Sequence, residues 1–226
     1  MRVALISDIH ANLAALQAVL ADMPPVDRIV CCGDLVGYYD QPNEVCALVR
    51  ERGIDCIRGN HDAYVIGALM PKAEHRASYR TDWTRDVLTS THRHWLEGLG
   101  TGLELAGGRS RLRLRHASPW DEETYLYPDA DAQFARLELS RGEILAVGHT
   151  HRPMQRIIGD GQLVNPGSVG QPRDWNPHAA YAVVDMDTGA VEPRRVAYDV
   201  AAVQARLTAK RWDAEIVALL SRTRQP

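Results

Sequence analysis

Two short stretches of this chain combine side chains that bind metals with a position directly after an apolar run. Asp8 and His10 lie in the segment SDIH, which follows the run VALI. His149 and His151 lie in the segment GHTH, which follows the run ILAV. Carboxylate oxygens and imidazole nitrogens are ligands for divalent transition metals. The two stretches therefore predict a metal site at the ends of two strands.

Three further segments place polar residues of similar kinds after apolar runs. They supply Asp34, Asn60, His61, Asp62 and His116. Taken singly, each has a structural explanation, such as a helix cap for Asp8, a turn for Asp34 or a left-handed backbone for Asn60. Taken together they indicate chemistry, because a parallel sheet brings the ends of its strands to one edge.

The spacing within these segments predicts that neighbouring ligands converge. Asp-x-His and His-x-His place two side chains on the same side of an extended segment, so each stretch supplies a pair of ligands. A buried cluster of carboxylates and imidazoles is costly without compensating charge. A metal cation supplies that charge.

The number and types of the candidate ligands indicate which metals to expect. Seven residues are too many for one tetrahedral ion, and they suit two ions about 3.5–4 Å apart that share a carboxylate. Oxygen and imidazole ligands favour manganese, iron, cobalt, nickel or zinc over magnesium or calcium. Because none of the segments contains a ligand cysteine, a structural zinc site is not expected. The candidate ligands are Asp8, His10, Asp34, Asn60, His116, His149 and His151.

The elements that position these residues follow from the pattern of apolar side chains. In the first half, apolar runs at 3–7, 29–32 and 54–57 alternate with helical patterns at 11–23 and from Pro42 onwards. Such alternation predicts right-handed crossovers and a parallel sheet. In open α/β sheets, ligands gather beyond the carboxyl ends of the strands.

The second half of the chain predicts antiparallel hairpins instead. Alternating segments meet at glycine-containing turns at 107–108, 159–161 and 187–189. A helix over about 199–222 closes the chain. Mixed parallel and antiparallel pairing is therefore expected.

The chain shows no break in composition and no linker, which predicts a single domain over residues 1–226. Helical inserts are expected at about 62–100 and 118–140, where they would flank the mouth of the site. The aromatic residues of these inserts are interpreted either as groups that stack on a substrate or as core residues. For the two tryptophans of the first insert, a place in the core is favoured. The aromatic residues so interpreted are Trp83, Trp95, Trp120, Tyr125 and Tyr127.

Composition and charge limit the class of protein. A net charge of −3 and a pI near 6.3 create no basic field, so a dedicated nucleic-acid-binding surface is not expected. Apolar runs are too short for a secretory signal or for the roughly 20 residues of a membrane helix. The four cysteines contain no CxxC pair and are interpreted as buried, reduced thiols. A cytoplasmic protein without a membrane partner is predicted, and its state, monomer or homo-oligomer, stays open.

Together the segments resemble the calcineurin-like metallophosphoesterase superfamily. The motifs, in the order of that family, are Asp8-x-His10, Gly33-Asp34, Gly59-Asn60-His61-Asp62, His116 and Gly148-His149-x-His151. The segment NPGSVGQPRD at 165–174 is similar to the small prokaryotic branch of YfcE-like phosphodiesterases. The resemblance implies an α/β fold, a four-layer αββα sandwich of two mixed β-sheets.

The resemblance also implies a role for each residue. For one metal ion it implies the ligands Asp8, His10 and His151. For the other it implies Asn60, His116 and His149. Asp34 would bridge the two ions together with a water or hydroxide, and His61 would be a catalytic residue that binds no metal. Asp62 follows His61 directly and could orient it.

The implied function is hydrolysis of small phosphate esters, above all phosphodiesters, by attack of the bridging hydroxide, while His61 protonates the leaving oxygen or stabilises charge on the transferring group. The implied cofactors are two divalent transition-metal ions, manganese first, with iron, nickel, cobalt or zinc as alternatives. A phosphomonoesterase or nucleotidase of the same fold is an alternative, and so is a non-catalytic interaction scaffold. Four residues stay open between phosphate contact and structural support. They are Asn12, Arg58, Ser168 and Arg173.

Overall fold

The computed structural model describes residues 1–223 of the chain. Within these residues, ten strands form two five-stranded sheets. The strands are β1 (Arg2–Ile6), β2 (Arg28–Cys31), β3 (Asp55–Cys56), β4 (Gly102–Gly107), β5 (Ser110–Arg115), β6 (Glu143–Ala146), β7 (Met154–Ile158), β8 (Gly161–Asn165), β9 (Ala179–Asp185) and β10 (Val191–Val196). In the described part of the chain, no helix is long and apolar enough to cross a membrane.

The first sheet has the strand order β10-β9-β1-β2-β3. Strands β1, β2 and β3 are parallel, as the alternation of apolar runs and helical patterns predicts. The hairpin of β9 and β10 returns from the C-terminal half and pairs antiparallel with β1. The sheet is therefore mixed.

The second sheet has the order β4-β5-β6-β8-β7. Its three central strands, β5, β6 and β8, are parallel, and the edge strands β4 and β7 are antiparallel to their neighbours. The three hairpins predicted from glycine-containing turns are all present, as β4–β5, β7–β8 and β9–β10.

Helices flank the two sheets and complete the sandwich. They are α1 (Leu13–Asp22), α2 (Pro42–Glu51), α3 (Asn60–Ile66), α4 (Thr81–Val87), α5 (Ser90–Glu97), α6 (Asp131–Phe134), α7 (Val200–Ala209) and α8 (Ala214–Ala218). Helix α1 begins where the side chain of Asn12 accepts a hydrogen bond from Ala15 N, and α2 begins with Pro42. The predicted α/β sandwich with two mixed sheets is confirmed.

The main core lies between the two sheets. Leu5 of β1 and Cys32, which directly follows β2, pack in one cluster with Leu112 and Ile144 of the second sheet. Cys31 points the other way, into the core formed with α1 and α2. The opposite orientation of the adjacent cysteines follows from the alternation of side chains along a strand. All four cysteines are free thiols.

Two helical predictions need correction. The C-terminal helix expected over about 199–222 is broken between α7 and α8, where Arg211 has a left-handed backbone with φ of 56°. The break turns Trp212 inward, and its Nε1–H donates to the carbonyl of Tyr38 at 2.7 Å. Segment 118–140 contains only the one-turn helix α6, and its apolar side chains cover the outer face of the second sheet.

Candidate metal centre

The candidate ligands lie just beyond the ends of five strands. In the first sheet, Asp8 follows β1, Asp34 follows β2 and Asn60 follows β3. In the second sheet, His116 follows β5 and His149 follows β6. Because the two sheets face each other, these strand ends meet in one place. All seven candidate ligands are buried, with at most 4% of each residue exposed.

The first group of ligand atoms belongs to Asp8, His10, Asp34 and His151. The four side chains offer atoms that all lie within 4.8 Å of one another. His10 Nε2 is 3.0 Å from His151 Nε2 and 3.6 Å from Asp34 Oδ2. Asp8 Oδ1 is 3.3 Å from His151 Nε2. These residues are the ones that the family resemblance assigns to the first ion, with the bridging residue.

A second group lies on the other side of Asp34. It combines Asp34, His116 and His149. The Oδ1 atom of Asn60 completes it, at 2.8 Å from His116 Nε2 and 2.9 Å from His149 Nδ1. The structure therefore brings together all seven candidate ligands, in the two sets expected from the sequence.

Asp34 belongs to both groups, and its two carboxylate oxygens have different surroundings. Oδ1 accepts the backbone N–H of His61 at 2.9 Å. Oδ2 is buried and has no hydrogen-bond partner among residues 1–223, although it lies 3.4 Å from His116 Nε2. A buried carboxylate oxygen without a partner is costly. Its position between the two groups suits an atom that bridges two cations.

Backbone carbonyls orient the four ligand histidines. The Nδ1–H groups of His10, His116 and His151 face the carbonyls of Val36, Cys32 and Gln171 at 3.1, 2.7 and 2.7 Å. His149 uses Nε2 instead, toward the carbonyl of Glu123 at 3.1 Å. Since a carbonyl only accepts, these nitrogens carry the proton, and the other nitrogen of each ring points into the centre. Ligand histidines in metal proteins are held in this way.

The charges in the centre depend on burial and on the carboxylates. Burial lowers the pKa of His10 to about 4 and of His149 to about 3, so both rings are neutral and offer lone pairs. At His116, burial also opposes the charge, but the carboxylates of Asp34 and Asp8 outweigh it and raise the pKa to about 10. A proton on His116 thus occupies the place that a cation would take. Lone pairs, an orphaned carboxylate oxygen and a displaceable proton all fit divalent metal ions.

The local backbone differs from the extended conformation that the sequence pattern predicted. Five of the candidate ligands have a left-handed backbone, with φ between 49° and 65°. They are Asp8, His10, Asp34, His149 and His151. The paired ligands therefore converge through tight left-handed turns after the strands and not through strand alternation. Such conformations cost on the order of 1–3 kcal/mol each, and they concentrate at functional sites.

Two glycines give the carboxylates room. A Cβ on Gly59 would overlap Asp34 Oδ1 and lie 2.8 Å from its Cγ. A Cβ on Gly148 would overlap Ser7 Oγ and lie 2.7 Å from Asp8 Oδ2. Neither glycine has a positive φ, so it is the close approach that requires them.

Asp62 supports the loop of Asp34, and it does not orient His61 as the sequence suggested. Its Oδ2 accepts the backbone N–H groups of Asp34 and Gly59, both at 2.9 Å. Its Oδ1 accepts those of Leu35 and Val36 at 2.9 and 3.1 Å. One buried carboxylate thereby holds together the two loops that carry Asp34 and Asn60.

Comparison with known proteins assigns this geometry to a family. The model of the calcineurin-like phosphoesterase superfamily domain matches residues 1–189. The chain belongs to this superfamily. It is 34% identical to protein MJ0912 of Methanocaldococcus jannaschii, in an alignment that covers 88% of this chain and 88% of that protein. Members of the superfamily are metal-dependent phosphoesterases.

Solved structures of phosphoesterases have the same architecture. A metallophosphoesterase from Sphaerobacter thermophilus has a TM-score of 0.82 and 32% identity, and the match covers 99% of both chains. The phosphoesterase YfcE from E. coli has a TM-score of 0.53 and 19% identity, over 87% of this chain and 100% of YfcE. The comparison with YfcE, at 19% identity, shows a shared fold and nothing more.

His61 lies at the edge of the candidate metal centre, in aromatic surroundings. Its ring stacks on Tyr38 with centroids 4.8 Å apart, lies 4.4 Å from the ring of Tyr79 and meets His10 edge-on at 4.8 Å. Only 5% of the residue is exposed. Burial holds the pKa of His61 well below its ordinary value, so the ring is neutral and has one N–H to donate.

A cleft of about 320 Å³ opens from the second group of ligands. Asn60 and His149 form its floor, and the ring of Tyr125 lies over His149 with centroids 3.9 Å apart. The other lining residues are Tyr64, Lys72, His75, Tyr79 and Glu123. Apart from Tyr125, none of the cleft's aromatic side chains is marked by the sequence pattern, because no spacing signal links a tyrosine on α3 to one before α4. Trp83 packs edge-on against Trp212 at 4.7 Å, as expected for a core residue.

The four residues of open role now have defined contacts. Asn12 caps α1 and donates to Gly170 O at 2.9 Å, and Ser168 donates to Asp8 O at 2.7 Å. Arg58 pairs with Glu122 at 3.4 Å. Arg173 donates to the hydroxyl of Tyr38 at 3.0 Å, next to the centre. The first two are therefore structural supports of the ligand loops.

Proposed function

We propose that this chain is a hydrolase of phosphate esters that uses two divalent transition-metal ions, and that its preferred substrates are phosphodiesters. The observation that carries the proposal is the pair of ligand groups that share Asp34, whose Oδ2 is buried without a partner between them. Two adjacent cations that share a carboxylate are the arrangement that clamps a phosphoryl group in an in-line displacement.

In this proposal one ion is held by Asp8, His10 and His151, and the other by Asn60, His116 and His149, with Asp34 between them. When bound, the ions would neutralise charge on the phosphoryl oxygens and make water a stronger nucleophile at neutral pH. Manganese is the first candidate, and iron, nickel, cobalt and zinc are alternatives that suit the same mixture of oxygen and imidazole ligands.

The side chains around the ions position the substrate. Arg173, fixed by Gln171 Oε1 at 2.8 Å and by the hydroxyl of Tyr38, presents a permanent positive charge beside the first group. The rings of Tyr79 and Tyr125 line the cleft over the second group and give it apolar walls. A low-dielectric site strengthens such charge interactions with a phosphoryl anion.

His61 is proposed to act on the leaving oxygen. Its ring is neutral, so its N–H donates a hydrogen bond that stabilises the negative charge developing on the leaving oxygen, and the proton that the departing alcohol takes up comes from solvent. The backbone N–H of His61, bonded to Asp34 Oδ1, fixes the residue at the start of α3. His61 is thus linked to the shared carboxylate without being placed as a ligand.

The preference for diesters rests on the room available for organic groups. The cleft beside Asn60 and His149 is about 320 Å³, which is larger than a phosphate and lined by tyrosines. A phosphomonoesterase or nucleotidase with the same centre is the alternative, because the cleft also accepts a single organic group.

One assay tests these proposals together. A bis(p-nitrophenyl) ester, p-nitrophenyl phosphate and a cyclic nucleotide are compared on the same preparation with manganese, with EDTA and with the variant Asp34→Ala. We expect release that requires manganese, is fastest with the bis-ester and is lost in Asp34→Ala. Faster turnover of the mono-ester would favour the phosphatase. If no ester is hydrolysed with manganese, or when iron, nickel, cobalt or zinc replaces it, the proposal is wrong and the interaction scaffold is favoured instead.

A further inference from the structure

His149 differs from the other ligand histidines in the kind of residue that orients it. The other three rings donate to the carbonyls of residues with no exposed surface, namely Val36, Cys32 and Gln171. His149 Nε2–H donates at 3.1 Å to the carbonyl of Glu123, an exposed residue in an irregular segment. The orientation of this one ligand therefore depends on a surface loop.

That loop, residues 118–124, is shaped by hydrogen bonds among its own residues. Ser118 Oγ accepts the backbone N–H of Asp121 at 3.1 Å. Asp121 Oδ1 in turn accepts the backbone N–H groups of Glu123 at 2.9 Å and of Thr124 at 2.6 Å. These bonds give the 118–124 loop a defined shape, but they do not attach it to the sheets or helices. The position of the Glu123 carbonyl therefore depends on what else the loop contacts.

The side chain of Glu123 attaches the 118–124 loop to helix α3. The hydroxyl of Tyr64, a residue that is 5% exposed, donates a hydrogen bond to Glu123 Oε1. Tyr64 lies one turn after Asn60 on the same face of α3. Asn60, Tyr64, Glu123 and His149 all line the cleft over the second ligand group. The Tyr64–Glu123 bond thus joins the helix that carries one ligand of that group to the loop that orients another.

The bond from Tyr64 is the stronger of two attachments of this loop. Glu122 contacts Arg58, but the closest nitrogen–oxygen distance is 3.4 Å, which is long for an arginine and a carboxylate. A hydroxyl that donates to a carboxylate forms a charge-assisted bond, about twice as strong as one between neutral groups. Loss of the Tyr64–Glu123 bond should therefore release the loop more than loss of the Arg58–Glu122 contact.

We propose that Glu123 is a positioning residue for the second ion. Its bond with Tyr64 holds the carbonyl that orients His149, and so sets the affinity of the ion held by Asn60, His116 and His149. This inference rests on the proposed function, since it presupposes an ion at each ligand group. The histidines of the first group are oriented by buried carbonyls outside the 118–124 loop. Release of the loop should therefore weaken the second ion and leave the first unchanged.

A manganese titration measures the affinity of each ion without catalysis. Metal-free wild type, Tyr64→Phe, Glu123→Ala and Glu123→Gln are titrated in a calorimeter, and melting temperatures verify that each is folded. We expect one of two binding events to weaken by about 10–100-fold in Tyr64→Phe and in Glu123→Ala, with the other unchanged. Glu123→Gln keeps an oxygen that accepts from Tyr64 and should recover most of the affinity. The matched control, Tyr181→Phe, removes a hydroxyl that donates to Asp22 at 2.7 Å and should bind both ions as the wild type does.

The ring proton of His149 tests the same inference without metal. Metal-free protein labelled with ¹⁵N-histidine is studied by NMR, and the signal of His149 is identified by its loss in His149→Ala. We expect the proton on Nε2, where the Glu123 carbonyl accepts it. Its exchange with water should be about tenfold faster, or more, in Tyr64→Phe and Glu123→Ala, because the loop opens more often, and unchanged in Tyr181→Phe.

Three results would overturn the inference and leave the proposed hydrolase intact. One is an unchanged exchange rate of the His149 proton in folded Tyr64→Phe. Another is a wild-type ring of His149 that carries its proton on Nδ1. The third is equal weakening of both ions in Tyr64→Phe, since the effect would then not be confined to the group that contains His149. If the wild type binds fewer than two ions, the two-ion proposal fails, and the proton of His149 alone decides whether Glu123 positions this ring.

Discussion

The Nε2 atoms of His10 and His151 lie 3.0 Å apart, although each ring already uses its Nδ1–H on a backbone carbonyl. Both Nε2 atoms therefore present lone pairs to each other. Burial lowers the pKa of both rings, which keeps them from resolving the contact by protonation. Two facing lone pairs in a buried site repel, and a cation held by the two rings and Asp8 would remove that repulsion. The arrangement of these two histidines therefore suits a bound metal ion.

Metal content follows from this relationship. We expect about two transition-metal ions per chain after loading with manganese, and fewer than one in Asp34→Ala, which removes the carboxylate common to both groups. The control His94→Ala changes an exposed histidine on α5 and should retain both ions. Elemental analysis of the dialysed proteins measures this. A single ion in the fully loaded wild type would contradict the two-ion arrangement.

Metal should also stabilise the fold. Each ion that binds only the native chain adds about 2.7 kcal/mol at a hundred times its dissociation constant, so two ions should raise the melting temperature of a chain of this length by about 10–20 °C. Thermal unfolding in EDTA and in excess manganese measures the difference. We expect the difference to vanish in Asp34→Ala, and its persistence there would show that the stabilising ions bind elsewhere.

The substitution His61→Ala should separate turnover from metal binding. Because His61 donates no atom to either ligand group, the variant should bind as much metal as the wild type. Loss of a positioned hydrogen-bond donor to the leaving oxygen should reduce kcat on the bis-ester by about 10²–10³-fold. His94→Ala is again the control. Wild-type turnover in His61→Ala would refute the role of His61 as a donor to the leaving oxygen, and loss of metal would mean that His61 supports the ligands instead.

Asp62→Asn should destabilise the chain by about 2–4 kcal/mol. Asp62 accepts four backbone N–H groups, and an asparagine would direct its own N–H₂ at some of them, leaving buried donors unpaired. Asp129→Asn, on an exposed turn, should change the free energy of unfolding by less than about 0.5 kcal/mol. Urea unfolding measures both. Equal midpoints for the two variants would show that Asp62 does not support the loop of Asp34.

The ion pairs of Asp40 with Arg206 and Lys210 predict that the free energy of unfolding depends on pH. Burial favours the neutral acid, but hydrogen bonds from Arg206 and Lys210 outweigh it and hold the pKa of Asp40 below its ordinary value of 3.8. Since the folded pKa is the lower one, the stability that it contributes is present above pH 3.8 and is lost as pH falls through the folded pKa. Asp40→Asn should therefore cost about 1–2 kcal/mol near neutral pH and progressively less in acid.

Unfolding by urea over a pH series tests this prediction. Asp55→Asn, whose pair with Arg28 is exposed, is the control and should have a much smaller effect at every pH. A cost for Asp40→Asn that stays constant into strong acid would mean that the carboxylate charge contributes nothing.

The sequence by itself determined the architecture and the membership of the centre. Apolar runs that alternate with helical patterns led to the parallel strands β1 to β3, and glycine-containing turns led to the three hairpins. Polar residues after these runs led to the ligands, because strand ends in α/β sheets must meet at one edge. The spacing of apolar side chains and the residues that form tight turns are local properties of the sequence, so they can be recognised without knowing the fold.

Only the tertiary structure decided how the ligands converge and what surrounds them. The left-handed backbone at Asp8 and His149 exists because the opposed sheets hold those loops, and no local pattern marks it. The contacts of Asp62 with the loop of Asp34, and of Glu123 with Tyr64, join residues that are distant in the chain. The packing of separate elements creates such contacts, and a linear pattern carries no information about which distant side chains will share a buried site.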